Sequence, residues 1–173
     1  MIILTGVMQS KSWKKQMTER MQQERVQFFS DLFEAEAALF DHWKIPEIRA
    51  KGTNRVVAVL PLNSHKFYGE TVLSIQENYG EAAAIREYRY AWELQDVKGK
   101  HKKSKQQRHI TSFDKQPHPK PPRHVKTDPF HHHHIPQDPV QRTSTSVESL
   151  EEVITIFQIY IGSQKPFLSS HTF

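Results

Sequence analysis

The sequence predicts an α+β fold: an N-terminal helix, a four-stranded antiparallel meander sheet, a long basic loop rich in histidine and proline, and a C-terminal helix. Three observations carry that expectation. Apolar residues recur at helical spacing over residues 12 to 43 and again over 146 to 161. Between them lie four runs rich in β-branched and aromatic residues, joined by short polar connections that favour hairpins over parallel crossovers. Seven of the chain's ten prolines then fall between Lys115 and Thr145, where regular structure is not expected.

In the first helix Trp13, Met17, Met21, Phe28, Leu32, Ala35, Leu39 and Trp43 share one face, which Phe29, Phe33 and Phe40 widen. Lys14, Lys15, Glu19, Arg20 and Gln23 fill the other side, and Pro46 stops the pattern. The first eleven residues have no periodicity, so Met8, Met17 and Met21 are alternative translation starts. RVVAVLPL (55 to 62) is β-branched and ends at a turn-like NSHK. YGETVLSIQEN (68 to 78) puts Thr71, Leu73, Ile75 and Glu77 on one face. IREYRYAWEL (85 to 94) alternates Tyr88, Tyr90, Trp92 and Leu94 against Glu87, Arg89, Ala91 and Glu93. QRHITSF (107 to 113) is a shorter fourth run, and residues 96 to 105 form a solvated hairpin tip. The closing helix carries Val147, Leu150, Ile154, Phe157 and Ile161 as its stripe. Ser149 with Glu152 fits a capping box, or Ser146 caps one turn earlier; Gly162 and Pro166 end the helix.

The chain has 173 residues, 36% hydrophobic and 10% aromatic, with a mean hydropathy of −0.69, which implies one modest core. Cysteine is absent, which excludes disulfides, thiolate zinc sites and cysteine nucleophiles. The opening MIILTGVM is too short for a signal segment and lacks a preceding positive region, and no apolar run is long enough to span a bilayer. A soluble, cytoplasmic protein with no membrane partner is expected. The net charge of +5 conceals an asymmetry, since ten Lys and Arg face one acid, Asp114, between Lys98 and Lys126. Eight of the eleven histidines lie between His101 and His134. Such a stripe points to an anionic partner, either nucleic acid or an acidic protein.

The segment TDPFHHHHIPQDP (127 to 139) concentrates the chemistry. If it is extended, His131 and His133 point one way and His132 and His134 the other. Imidazole suits both proton transfer near neutrality and metal ligation. One reading pairs two of these histidines with His118 or Glu77 around a divalent metal, His131 and His133 being the metal ligands in that case. A second is a metal-independent ribonuclease site, needing no cofactor, in which histidines act as base and acid while Lys or Arg stabilises phosphorane-like charge. A third is a solvated binding loop with no chemistry, and a tag-like insert is a fourth. Glu77 continues the face of Leu73 and Ile75, where an unpaired carboxylate would be costly. Tyr88, Tyr90 and Trp92 suit either base stacking or a plain core. Phosphate contacts fall to Lys102, Lys103, Lys105, Arg108, Lys120 and Arg123.

Several of these motifs occur in a familiar order: LSIQE, EYRYAW, FDKQPHPKPP, TDPFHHHHIP, and a helix beginning SVESLEEVI. The order resembles the TumE family of toxin–antitoxin toxins over residues 55 to 160, and residues 49 to 162 are read as that α+β domain. Residues 1 to 48 are a helical segment before it, and 163 to 173 a flexible tail. The match implies functional places for Glu77, Tyr88, Tyr90, Asp114, His118 and His131 to His134. Two departures stand out: Lys115 where Asn is common, and Pro119 after His118 where a second histidine is common. What the resemblance implies is a growth-inhibiting toxin neutralised by a cognate antitoxin protein. At fold level alone, helix-plus-sheet architecture is also similar to RelE- and barnase-like ribonucleases, which makes RNA the expected substrate. The preferred mechanism has His118 and the 131–134 cluster exchanging protons, with Glu77 orienting a histidine or acting as base. The rivals are a metal-dependent hydrolase built on the histidines and Glu77, and a non-catalytic module that binds nucleic acid or the antitoxin.

Overall fold

In the computed structural model, one antiparallel sheet of seven strands, ordered as they occur in the chain, holds two long helices on one of its faces. The structure describes residues 4–80, 84–96, 105–121, 123–133 and 140–168, and of 4–15, 17, 105 and 106 the backbone alone. The elements run α1 (Leu4–Ala35), β1 (Glu47–Lys51), β2 (Arg55–Pro61), β3 (Thr71–Tyr79), β4 (Ile85–Leu94) and α2 (Lys105–Arg108). They continue with β5 (His109–Lys115), β6 (Phe130–His133), β7 (Thr143–Ser144) and α3 (Leu150–Ser163). The α+β class holds, but the sheet has seven strands where four were expected. The extra ones are the charged edge strand β1 and two short strands inside the supposed histidine/proline loop. Most of the expected hairpin tip at 96 to 105 lies outside the described residues.

The first helix ends at Ala35, eight residues before Trp43, although the apolar spacing continues. Tertiary bonds override the spacing here. The amides of Leu39 and Phe40 both turn back to the Glu36 carbonyl, each at 2.9 Å, and the Asp41 amide bonds the Pro61 carbonyl at 3.0 Å. Asn63 Nδ2 donates to the carbonyls of Ala37 and Ala38, both at 3.0 Å, and His42 Nε2 lies 2.6 Å from the Phe33 carbonyl, so side chains take up several acceptors where the chain leaves the helix. Leu39 and Phe40 enter the core, while Trp43 is 99% exposed.

Consecutive strand residues face opposite ways, so register assigns each side chain to a face. Ile75, Tyr90 and Phe113 align across β3, β4 and β5, and His132 on β6 continues the row. This face carries the core, with Phe29 and Phe33 from α1 and Val153, Phe157 and Ile161 from α3. Trp92 lies at its centre, its ring 5.5 Å from Phe157 and 6.1 Å from Tyr160. The opposite face displays Gln76, Arg89, Asp114 and His131 in one cross-strand row. The fold therefore separates an apolar, helix-covered face from a polar one.

Helix α3 starts as its capping box requires. Ser149 Oγ accepts from the Glu152 amide, and the Glu152 carboxylate accepts from the Ser149 amide at 3.0 Å. Ser149→Ala should lower unfolding stability by about 1 kcal/mol, read as a shift in urea midpoint at unchanged slope. Gly162 lies within the helix instead of ending it; the end comes at Gln164, in the left-handed conformation at φ 55°. That residue is held there by its own side chain, which donates to Ile161 and Ser64 carbonyls and accepts from the Lys66 amide. In residues 163 to 168, where a flexible tail was expected to begin, Ser163, Lys165 and Leu168 are exposed but Phe167 is anchored. Phe167 is 3% exposed, and its amide bonds Tyr68 Oη at 2.9 Å.

Candidate functional site

The three described histidines of the cluster form strand β6, paired with β5 on one side and β7 on the other. Alternation splits them. His132 enters the core face, its ring 5.7 Å from that of Phe113. His131 and His133 take the polar face, where His131 stands directly across from Asp114. Asp114 in turn stands across from Arg89 on β4, so the register alone builds a row of Arg, Asp and His on three adjacent strands. All three are essentially buried, at 0 to 2% exposure, so residues 131 to 133 are not part of a solvated loop.

The side chains converge. Arg89 Nη1 donates to Asp114 at 2.9 and 3.3 Å, one bond to each carboxylate oxygen. His133 Nε2 lies 3.3 Å and His131 Nε2 3.9 Å from the same Asp114 oxygen. One ligand atom from each of Asp114, His131 and His133 lies within 4.8 Å of the other two, so the group could hold a metal ion. Burial alone would raise the Asp114 pKa, but the His133 contact and the Arg89 guanidinium hold it at about 2. Burial brings His131 down to about 4, against the pull of Asp114, so this imidazole is neutral at physiological pH.

A β-bulge completes the site. Trp92 pairs with Thr111 but Glu93 pairs with His109, which leaves Ile110 as the extra residue. The extra residue brings His109, 2% exposed, onto the polar face, its ring 6.0 Å from that of His133. Its pKa falls to about 3 through burial and the nearby charge of Arg89. His118 arrives from the turn after β5, its amide tied to Asp128 Oδ2 at 2.7 Å and its ring 5.1 Å from that of His131. Beside this cluster is a cavity of about 300 Å³ lined by Gln76, Asn78, Arg89, Asp114, His133 and Arg142, among others. The Arg142 pKa is lowered by partial burial and by the neighbouring charge of Arg123, and the cavity lining sets Arg89, Lys115 and Arg142 against the carboxylates of Glu87 and Asp114.

His118, His131 and His133 are thus brought together, but the carboxylate that joins them is Asp114, which the sequence offered only as a supporting residue, and not Glu77. Glu77 lies on the other face, fully buried, with its carboxylate accepting from Arg25 Nε at 2.8 Å and Nη2 at 2.6 Å. Tyr90 Oη also donates to it at 2.8 Å, and Tyr79 Oη is a fourth donor. Tyr88 and Tyr90 stack on each other with centroids 4.3 Å apart, both buried, so neither offers a face to a base. Arg108 is paired with Asp96 at 3.2 Å, whereas Lys120 and Arg123 are exposed. His134, Lys102 and Lys103 lie outside the described residues, as does the side chain of Lys105. Sequence reasoning missed Arg89, His109 and Arg142. Arg89 had a signal, its place on the polar side of β4; His109 had none, because only the bulge puts it on this face.

The model of the family described as Toxin TumE matches residues 29–164, most of the chain, and extends the likeness into α1. No curated protein and no solved structure matches. Among the described residues, no helix is long and apolar enough to cross a membrane.

Proposed function

The chain belongs to the TumE toxin family, and on that premise we propose that it is the growth-inhibiting member of a toxin–antitoxin pair, acting on RNA at the polar face of its sheet. The observation that carries this reading is the convergence of Arg89, Asp114, His131 and His133 beside a cavity whose polar lining includes Arg142 and Lys115. Polar groups gathered in a concave site, with pKa values displaced by burial and by specific charges, are the arrangement expected of a reaction centre. In this assignment Asp114, His131 and His133 work at the reacting phosphodiester and Arg89 fixes the carboxylate. His118, its ring 5.1 Å from that of His131, is assigned to proton transfer. Arg142 with exposed Lys120 and Arg123 guides the phosphate backbone. Glu77, Tyr88 and Tyr90 belong to the scaffold, and the antitoxin protein restrains the activity.

Two measurements test the reading. Induced expression should arrest growth, co-expression of the adjacent small gene should relieve it, and the purified chain should shorten RNA in vitro. Growth at the normal rate, with RNA left intact, would refute the proposal. Lys120→Ala/Arg123→Ala should weaken RNA binding and flatten its salt dependence, by about 0.7 in the log–log slope for each single-strand phosphate that a removed cation had neutralised. An unchanged slope would remove these two residues from the interface.

A further inference from the structure

We propose that Asp114, His131 and His133 form a mononuclear site for a divalent transition metal ion of the zinc, iron or cobalt kind. The inference rests on the assignment of this cluster as the reaction centre and adds the cofactor that it would use. The first ground is geometric. Ligand atoms around one such ion lie roughly 3 to 3.5 Å apart, given bond lengths of about 2.0 to 2.2 Å. The Asp114 oxygen lies 3.3 Å from His133 Nε2, within that spacing, and 3.9 Å from His131 Nε2, a little wide of it, and one ligand atom from each of the three residues lies within 4.8 Å of the others without an ion to enforce it.

The second ground is independent of the first. His131 is fully buried, yet neither of its ring nitrogens has a hydrogen-bond partner. Buried polar atoms are nearly always satisfied, so an imidazole placed this way calls for a ligand. The neighbourhood repeats the pattern, with His118 Nε2, His133 Nδ1, Ser112 Oγ and Arg89 Nη2 also buried and unpartnered. Proton transfer alone explains a histidine bonded to a carboxylate, as His133 is. It does not explain a second imidazole directed at the same oxygen with nothing to donate to or accept from.

The donor set fixes the class of ion. Two imidazoles and a carboxylate suit borderline metals better than calcium or magnesium, which prefer oxygen throughout. Three protein ligands leave coordination positions for water and substrate, as catalytic sites require. Arg89, bonded to the carboxylate, supplies the outer contact that orients it. The ion would provide an activated water for phosphodiester hydrolysis. The water oxygen bonds to phosphorus, the ester P–O bond breaks, and the water's proton ends on the leaving oxygen.

The test uses the full chain without a histidine tag, stripped by chelator and titrated with cobalt(II), then with zinc. One equivalent of cobalt per chain should bind, with visible d–d absorption and a raised melting temperature, and zinc should displace it. His131→Ala and Asp114→Ala should each lose that binding, while His124→Ala, which alters an exposed histidine, should keep it. Circular dichroism establishes that the variants are folded, and His131→Ala loses no hydrogen bond, so it is the safer of the two. Absence of stoichiometric binding by the folded wild type, or equal binding by His131→Ala, overturns the metal site. The assignment of the reaction centre is tested separately: it fails if His131→Ala loses the ion but still degrades RNA at the wild-type rate.

Discussion

Glu77→Ala should lower the stability of the protein by about 3 to 5 kcal/mol, the cost of leaving a buried charge without its partner. The carboxylate is fully buried and receives four donors: two from Arg25, one each from Tyr79 and Tyr90. Removing it strands a guanidinium that is only 19% exposed and two hydroxyl groups beneath α1. The pairing also explains how a polar residue survives on the core face. Arg25 reaches it from the helix, with its guanidinium 4.2 Å over Phe28 and 4.7 Å over Phe29, so charge and apolar packing are joined in one place. Urea unfolding measures the loss. Glu77→Leu combined with Arg25→Met, Tyr79→Phe and Tyr90→Phe should recover much of it, because replacing an entire buried network costs less than breaking it. A Glu77→Ala protein as stable as wild type but unable to arrest growth would move Glu77 from scaffold to reaction chemistry.

This residue shows what sequence alone could convey. The position of Glu77 on a buried face was legible from the alternation of Leu73 and Ile75, and so was its need for a partner. The partner was not legible, because Arg25 lies 52 residues away on a helix whose docking depends on the whole core. The same division recurs elsewhere. Strand β4 appears at the residues that alternation marked, 85 to 94, and α3 begins at the capping box, because both signals are local. Likewise the opposite facing of His131 and His132 followed from a two-residue period and needed only that the segment be extended. What made it extended was pairing with β5 and β7, a non-local cause that a proline-rich segment conceals. Strand β1, with the sequence EIRAK, has the charge of a protected sheet edge and lacks an apolar period to reveal it. The early end of α1 and the bulge at Ile110 belong with these, since both are decided by what the backbone meets across the sheet.

If the polar face is the reaction centre proposed above and RNA its substrate, His131→Ala should abolish growth arrest and slow RNA degradation by about 100-fold or more, the scale on which a positioned catalytic group contributes. The expectation is sharp because this imidazole makes no hydrogen bond whose loss could unfold the protein. Stability should change by only about 1 kcal/mol, reflecting poorer packing offset by removal of buried, unsatisfied nitrogens. His133→Ala should be equally inactive but less stable, since it also deprives Asp114 of a partner at 3.3 Å. His132→Phe provides the internal comparison. It changes a neighbour in the same strand whose ring lies on the other face against Phe113, so activity should stay within about twofold while the melting temperature moves. The ranking follows from strand alternation: residues 131 and 133 act together and 132 apart. If His132→Phe silenced the toxin while His131→Ala left it active, the polar face of the sheet would not be where the chemistry occurs.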